Sequence, residues 1–271
     1  MSVLNTIQTI LIIGATSGLG EQFARRLHAM GKKVIITGRR AERLTSIQSE
    51  LGPNVSTYQW DITDLPNLPS RASEILTQHP ETNSIFIVSG LGNVFNFLDP
   101  STSSDAKIIT ECTTNVTAQM LLTRAFMPHL SSLAAKGQKT SFLLMGSGMG
   151  FAPNGTFPVY VGTKAAIHAL AVALRQTVNK AEENVKNNLS IVEVVAPYVA
   201  TDFDKEFRNP NAPGPQPMPL EEYMDATMKG LGELGEDGKT VREVAVGSAV
   251  PRVEAWRGGV GKWLKDNGMD G

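Results

Sequence analysis

The stretch Ile10-Leu11-Ile12-Ile13-Gly14-Ala15-Thr16-Ser17-Gly18-Leu19-Gly20 decides the fold of this chain. Four apolar residues in a row, stopped by a glycine, read as a buried strand. The period then changes. Phe23, Ala24, Leu27 and Met30 recur at helical spacing, so one stripe of a helix faces a core. Strand, glycine-rich turn and helix in that order is the setting of a dinucleotide-binding turn. The glycines let the backbone approach a pyrophosphate, and the helix start offers free amides and the positive end of its dipole. Thr16 and Ser17 add hydroxyl donors. An ordinary tight turn is the alternative for three glycines alone, and the flanking elements weigh against it.

Working outward, Lys33 to Thr37 reads as a second strand, followed by Gly38-Arg39-Arg40. An acidic residue at this strand end commonly bonds the ribose 2′-hydroxyl of NAD. Two arginines stand here instead, and guanidinium suits a phosphate through charged, paired hydrogen bonds. The expected cofactor is therefore NADP(H), with Arg39 as first contact and Arg40 as second. The alternative is that both arginines merely open the next helix, whose Glu42 and Arg43 read as solvated. Val55 to Trp60, the residues up to Ile87, Phe142 to Met145, the run before Ala196 and Val244 to Gly247 read as further strands, with helical patterns between them. The pattern predicts an α/β fold: one doubly wound, Rossmann-type domain over residues 1–271, a mostly parallel sheet with helices on both faces.

The chemistry concentrates in Tyr160-Val161-Gly162-Thr163-Lys164. Positions four apart share a helix face. An ammonium beside a phenol favours the phenolate, so Lys164 is expected to lower the Tyr160 pKa from about 10. A tyrosine tuned in this way passes a proton to or from an alcohol or carbonyl oxygen. Alone, the pair also fits chance placement on an exposed helix face. Ser147 comes just after the apolar run Phe142 to Met145, thirteen residues before Tyr160. A strand end of that kind is where ligands bind in an open parallel sheet. Asn115 interrupts a helical pattern from Ser104 to Leu130, where asparagine is a poor interior residue. It reads as a functional amide, a solvated position or a kink.

Taken together, these residues resemble the short-chain dehydrogenases/reductases over about Thr9 to Thr201. The resemblance rests on the Gly14-x-x-x-Gly18-x-Gly20 turn, Asp61, Asn115, Ser147 and Tyr160-x-x-x-Lys164. It implies that Tyr160 is the general acid/base and that Lys164 tunes it and binds the nicotinamide ribose. Ser147 would orient the substrate oxygen, and Asn115 would hold a water linked to Lys164. It also implies that Leu19 belongs to the cofactor turn and that Asp61 and Ile62 flank the adenine. Gly90 and Gly92 would allow close approach, while Val199 and Thr201 contact the nicotinamide amide and pyrophosphate. The chain departs from the family pattern in places. Ile87-Val88-Ser89-Gly90 replaces the usual Asn-Asn-Ala-Gly, which leaves the local hydrogen bonding open. Ala196-Pro197-Tyr198-Val199-Ala200-Thr201 replaces Pro-Gly-x-Val-x-Thr, and Ile13 stands where a threonine is usual.

The composition fits an intracellular enzyme. The 271 residues carry a net charge of −1 and are 41% hydrophobic, which supports a sizeable core and gives no sign of nucleic-acid or membrane binding. No run reaches the roughly 18 apolar residues of a membrane helix. The N-terminus lacks a signal-peptide pattern. Cys112 is the only cysteine and makes no internal disulfide, so a reducing, cytoplasmic setting is expected. His28, His79, His129 and His168 show no metal-ligand spacing, so no metal is expected, and His168 reads as structural.

Residues 202–220 are expected to form a substrate lid, with five prolines between Asn209 and Pro219. Met149, Phe157, Tyr198 and Phe203 are candidates for an apolar substrate pocket, with Phe95, Phe207 and Met218. Core packing is the alternative for each. The C-terminal extension, about 248–271, carries two tryptophans that would pack on the body or on a neighbouring subunit. The small residues Ala165, Ala166, Ala169, Ala171 and Ala173 suit close helix packing, and a homodimer or homotetramer is expected. The expected activity is hydride transfer between NADPH and a small-molecule carbonyl or alcohol, mainly apolar, in the reductive direction. Two alternatives stay open: the same scaffold directing a non-redox isomerisation or cyclisation, and a nucleotide-sensing binding protein.

Overall fold

A computed structural model of the chain describes residues 1–99, 101, 104–206 and 215–269. Phe207, Pro210 and Pro213 lie outside the described residues. The elements follow one another as α1 (Val3–Thr6), β1 (Thr9–Ile13), α2 (Gly18–Ala29), β2 (Lys33–Gly38), α3 (Ala41–Leu51), β3 (Val55–Gln59), α4 (Leu68–Gln78) and β4 (Ser84–Ile87). Then come α5 (Asp105–Cys112), α6 (Ala118–Ala135), β5 (Thr140–Ser147), α7 (Pro158–Asn179), α8 (Glu183–Asn188), β6 (Leu189–Ala196), α9 (Leu220–Gly232), β7 (Glu243–Ala245), α10 (Val250–Trp256) and α11 (Lys262–Asp266).

Among the described residues the strands form one parallel sheet in the order β3-β2-β1-β4-β5-β6-β7. This is the doubly wound fold that the alternation of apolar runs and helical stripes predicts. The central strands β1, β4, β5 and β6 bury both faces, with successive residues feeding two cores, while the edge strands β3 and β7 are only partly buried. Ile10 and Ile12 of β1 join Phe23 and Leu27 of α2 and Tyr223, Met224 and Leu231 of α9. Leu11 and Ile13 join Ala72 and Ile75 of α4, Leu122 and Phe126 of α6 and Ile167 of α7 on the other face. No helix is long and apolar enough to cross a membrane among the described residues.

Two consequences of the topology position the site. In a parallel sheet every strand ends on the same edge, so the loops after β1, β2, β4, β5 and β6 gather there. The strand order reverses between β1 and β4, which opens a crevice at that edge. The expected single helix from Ser104 to Leu130 is broken once. Asn115 lies in a π turn, Thr113–Thr117, between α5 and α6. A π turn inside a helix shifts the facing of the residues beyond it. Here it directs the Asn115 amide into the crevice, fully buried.

Candidate active site

At the nucleotide end, the turn after β1 is held by backbone geometry. Gly14 has φ of +94°, a region open to glycine. A methyl group on Gly20 would meet the Gly14 carbonyl oxygen at 2.1 Å, so α2 packs directly onto the turn. Ser17 precedes α2 without capping it through its side chain, which leaves the first-turn amides for an anion. The cradle therefore fits a pyrophosphate.

Arginines flank this turn. Arg40 Nη2 donates to Ser17 Oγ at 2.5 Å and to Thr16 Oγ1 at 3.0 Å. Arg43 Nη2 pairs with Glu21 at 2.7 Å, and its Nε reaches the Thr16 carbonyl oxygen at 3.5 Å. Arg39 is exposed, and its carbonyl oxygen accepts from Gln59. In the folded chain it is Arg40, expected from sequence as the second contact, that hydrogen-bonds the turn. The chain leaves β2 with Arg40 as the residue before α3, and that position carries the guanidinium back over Thr16 and Ser17. Arg43, read from sequence as solvated, lies at the same place because α3 starts beside the turn.

Other expected cofactor residues line the same edge. Asp61 Oδ1 accepts from the amide and hydroxyl of Thr63, and Ile62 is buried. Val199 is buried and bridges Met218, while the Thr201 side chain lies opposite Gly18. The altered segment after β4 keeps its bonds by other means. Ser89 Oγ donates to the Ile13 carbonyl oxygen, and Gln119 Nε2 donates to the Ser89 carbonyl oxygen.

At the reactive end, Ser147 is the last residue of β5, and its Oγ accepts from the Met149 amide at 3.2 Å. The Ser147 hydroxyl lies close enough to the Tyr160 phenol to favour its ionised form. Lys164, one helical turn beyond Tyr160 on α7, has its Nζ 5.6 Å from the Tyr160 ring centroid. The same ammonium donates to the Met145 carbonyl oxygen at 2.7 Å. Asn115 Oδ1 accepts from the Leu91 amide at 3.0 Å, and its Nδ2 donates to the Leu91 carbonyl oxygen at 2.7 Å and to Thr163 Oγ1 at 3.1 Å. Thr163 in turn donates to the Tyr160 carbonyl oxygen at 2.8 Å. A methyl group on Gly90 would lie 3.5 Å from Asn115 Oδ1 and 3.6 Å from Lys164 Nζ, so glycine there keeps the space between them open.

The electrostatics depart from the sequence expectation in one respect. Loss of water pushes the Tyr160 phenol up to about 12, against the opposing effect of the Ser147 hydroxyl, and the charge of Glu111 adds to the rise. Lys164 was expected to lower this pKa. Its ammonium is engaged with Met145, and burial pushes Lys164 itself down to about 8, opposed by the charge of Glu193. In the folded chain by itself, desolvation wins over the attraction. Glu111 was not foreseen. Its carboxyl is fully buried, takes a hydrogen bond from Asn93 at 2.8 Å and is raised by burial.

The pocket candidates divide. Phe203 lies on Tyr160 with ring centroids 5.5 Å apart and is itself 45% exposed, so it covers the phenol like a flap. The Tyr198 hydroxyl donates to buried Asp204. Met149 and Phe157 are partly buried near the Ser147 and Tyr160 ends. Phe95 is buried and stacks on Phe97. Met218 packs beside Gly247 and is half-buried against one of the two cores. Trp256 packs on Phe151 and His168, whereas Trp263 is largely exposed. No group of three or more metal-ligating side chains occurs among the described residues.

Comparison with known proteins agrees with this architecture. The sequence profile of the short chain dehydrogenase family matches residues 8–212. An uncharacterized oxidoreductase of Bacillus subtilis (strain 168), DltE, is 28% identical over 228 residues, 84% of this chain and 86% of its own length. The NADP-dependent 3-hydroxy acid dehydrogenase YdfG of Salmonella typhi is 30% identical over 166 residues, 61% of this chain and 64% of its own length. A short-chain dehydrogenase from Sphingobium yanoikuyae, solved in complex with NADPH, superposes with a TM-score of 0.74 at 22% identity, covering 94% of this chain and 95% of its own. The chain belongs to the short-chain dehydrogenase family of oxidoreductases.

Proposed function

We propose that this chain transfers hydride between NADPH and the carbonyl or alcohol carbon of a medium-sized, mainly apolar metabolite, in the reducing direction. One observation carries the reading. Ser147 at the end of β5 acts on the Tyr160 phenol, and Lys164 lies one helical turn beyond it with its Nζ 5.6 Å from the ring centroid. NADPH, when bound, supplies the hydride. The Tyr160 hydroxyl gives a proton to the substrate oxygen, and the Ser147 hydroxyl holds that oxygen in place. The phenol pushed up to about 12 is protonated at neutral pH, which is the form that a reduction consumes. Lys164 supplies positive charge behind the phenol as the proton leaves. Asn115 fixes Leu91 and Thr163 and so the spacing between the π turn and α7.

Arg40 and Arg43 beside Thr16 and Ser17 support NADP(H) over NAD(H), with Arg39 flanking. Leu19, Asp61, Ile62, Gly90, Val199 and Thr201 complete the nucleotide site, and Met149, Phe157, Tyr198 and Phe203 the substrate side. The lid reading rests on residues 202–206 and 215–220, since residues 207–214 lie outside the described residues. Exposed Ile109, Met120, Ala169 and Ala173 on α5, α6 and α7 support pairing with a second copy, as dimer or tetramer. Light scattering that gives only a monomer at working concentration would contradict the pairing.

The reaction is tested by following reduced-nicotinamide absorbance with NADPH or NADH and a panel of ketones, aldehydes and quinones. Carbonyl-dependent loss of NADPH, faster than of NADH, is the expected result. Tight NADPH binding without loss on any carbonyl, together with conversion of a substrate at no cost in NADPH, would establish non-redox chemistry instead.

A further inference from the structure

The polar groups behind Lys164 take no part in the steps just described. Glu193 lies in the middle of β6 and is fully buried. Its Oε2 meets His168 Nδ1 of α7 at 2.8 Å. His168 follows Lys164 by one helical turn, so both stand on one stripe of α7. Room for the carboxylate comes from β5, where a methyl group on Gly146 would meet Glu193 Oε1 at 2.2 Å. Gly146 lies between Met145, whose carbonyl oxygen holds Lys164, and Ser147. The carboxylate is therefore seated against the strand segment that serves both. Its Oε1 has no hydrogen-bond partner among the described residues, where a buried carboxylate oxygen ordinarily has one. Phe151 and Trp256 close on His168 with ring centroids at 4.1 Å and 4.4 Å. Water is thus kept from the pair, and charges act further.

We infer that Glu193, clamped by His168, is a positioning residue that keeps the Lys164 ammonium charged and in place inside the desolvated site. The inference rests on the reading of Tyr160 and Lys164 as the reactive pair. The charge of Glu193 acts on Lys164 in the direction required, opposing the effect of burial. The other charged groups nearby are otherwise engaged. Glu243 of β7, opposite Glu193 in register, is tied to Arg175 of α7 and Arg257 of the tail at 2.5 Å and 2.6 Å. Arg252 of α10 lies against Gly148. Glu111 of α5 acts on Tyr160.

The test is a direct titration of Lys164 by NMR, with lysine labelled at Cε and the resonance identified by its loss in Lys164→Arg. Glu193→Gln keeps the shape and removes the charge, while Glu193→Asp keeps the charge and withdraws it. The midpoint, expected at about 8 in the parent chain, should fall by about one pH unit in Glu193→Gln and by less in Glu193→Asp. A midpoint in Glu193→Gln within about 0.2 pH units of the parent would overturn the inference. If Glu193→Gln does not fold, Glu193→Asp decides: a fall supports the role and an unmoved midpoint overturns it. In the reduction assay the alkaline limb should move to lower pH in step. A merely structural role would lower the rate at every pH and leave the limb in place. If the parent chain consumes no NADPH with any carbonyl, the reaction reading fails, and the titration still answers for Glu193.

Discussion

At the nucleotide end of the crevice the shape is made by backbone: Gly14 in its left-handed conformation, Gly20 against the Gly14 carbonyl, and the open amides of α2. Side chains join only at the rim, where Arg40 and Arg43 remain partly solvated. At the reactive end the reverse holds. Ser147, Lys164, Asn115, Glu111 and Glu193 are all buried side chains, and their placement depends on five different elements. The first end is held by sterics and changes little with pH. The second is a balance of burial against charge, in which a proton weighs as much as a hydrogen bond. Substitutions at the rim should therefore alter affinity for the cofactor, and those in the interior should alter turnover.

Apart from loss of the Tyr160 hydroxyl itself, the sharpest break between the two ends is expected from Ser147→Ala. Removing the hydroxyl that holds the substrate oxygen should lower kcat by about 10²-fold or more, as loss of one preorganised donor does elsewhere. Binding of NADPH, measured by fluorescence titration, should be unaffected. At the other end, Arg40→Asp should raise the NADPH Michaelis constant at least about tenfold, the scale of a lost charge-assisted hydrogen bond. The constant for NADH should stay the same or improve. An unchanged NADPH constant would mean that Arg40 only opens α3.

A pH series sharpens the contrast further. Burial holds Lys164 near 8 in place of 10.5, so the charged form is present below about 8 and is lost above it. The reduction rate should fall as pH rises through about 8, by up to about tenfold per unit. Stability should move the other way. Between pH 8 and 10.5 the unfolded chain keeps a proton that the folded chain has released, so this group adds stability as pH rises. Loss of rate caused by unfolding in this window would contradict the assignment. The smallest effect is expected at the flap. Phe203→Ala uncovers Tyr160 and should raise kcat/KM for bulky carbonyls by roughly two- to fivefold, and less for small ones. Equal changes for both would show that the ring does not limit access.

The difference between the ends also explains what could be read from sequence. β1, the glycine turn and α2 are contiguous, and their periods and glycines are local signals. Tyr160 and Lys164 share one helix face, and Ser147 ends a recognisable strand, so their proximity follows from few assumptions. Glu193 carried no such signal. Its partner His168 comes from α7 and its space from Gly146 of β5, and only the β5–β6 register brings them together. Glu111 was hidden for the same reason, since the loop that covers it has no periodic pattern. The fall expected for the Tyr160 pKa failed because spacing reveals a charge pair but not how much water surrounds it. Ser89 and Gln119 take over hydrogen bonds that the altered motif after β4 had left open, which no local reading anticipates.

The central claim is that the phenol of Tyr160 moves the proton and the nucleotide end binds without it. The most direct measurement is Tyr160→Phe, assayed for carbonyl-dependent NADPH loss and, on the same preparation, for NADPH affinity. The account predicts turnover lost by about 10²- to 10⁴-fold with affinity nearly intact. Turnover equal to that of the parent chain would contradict it.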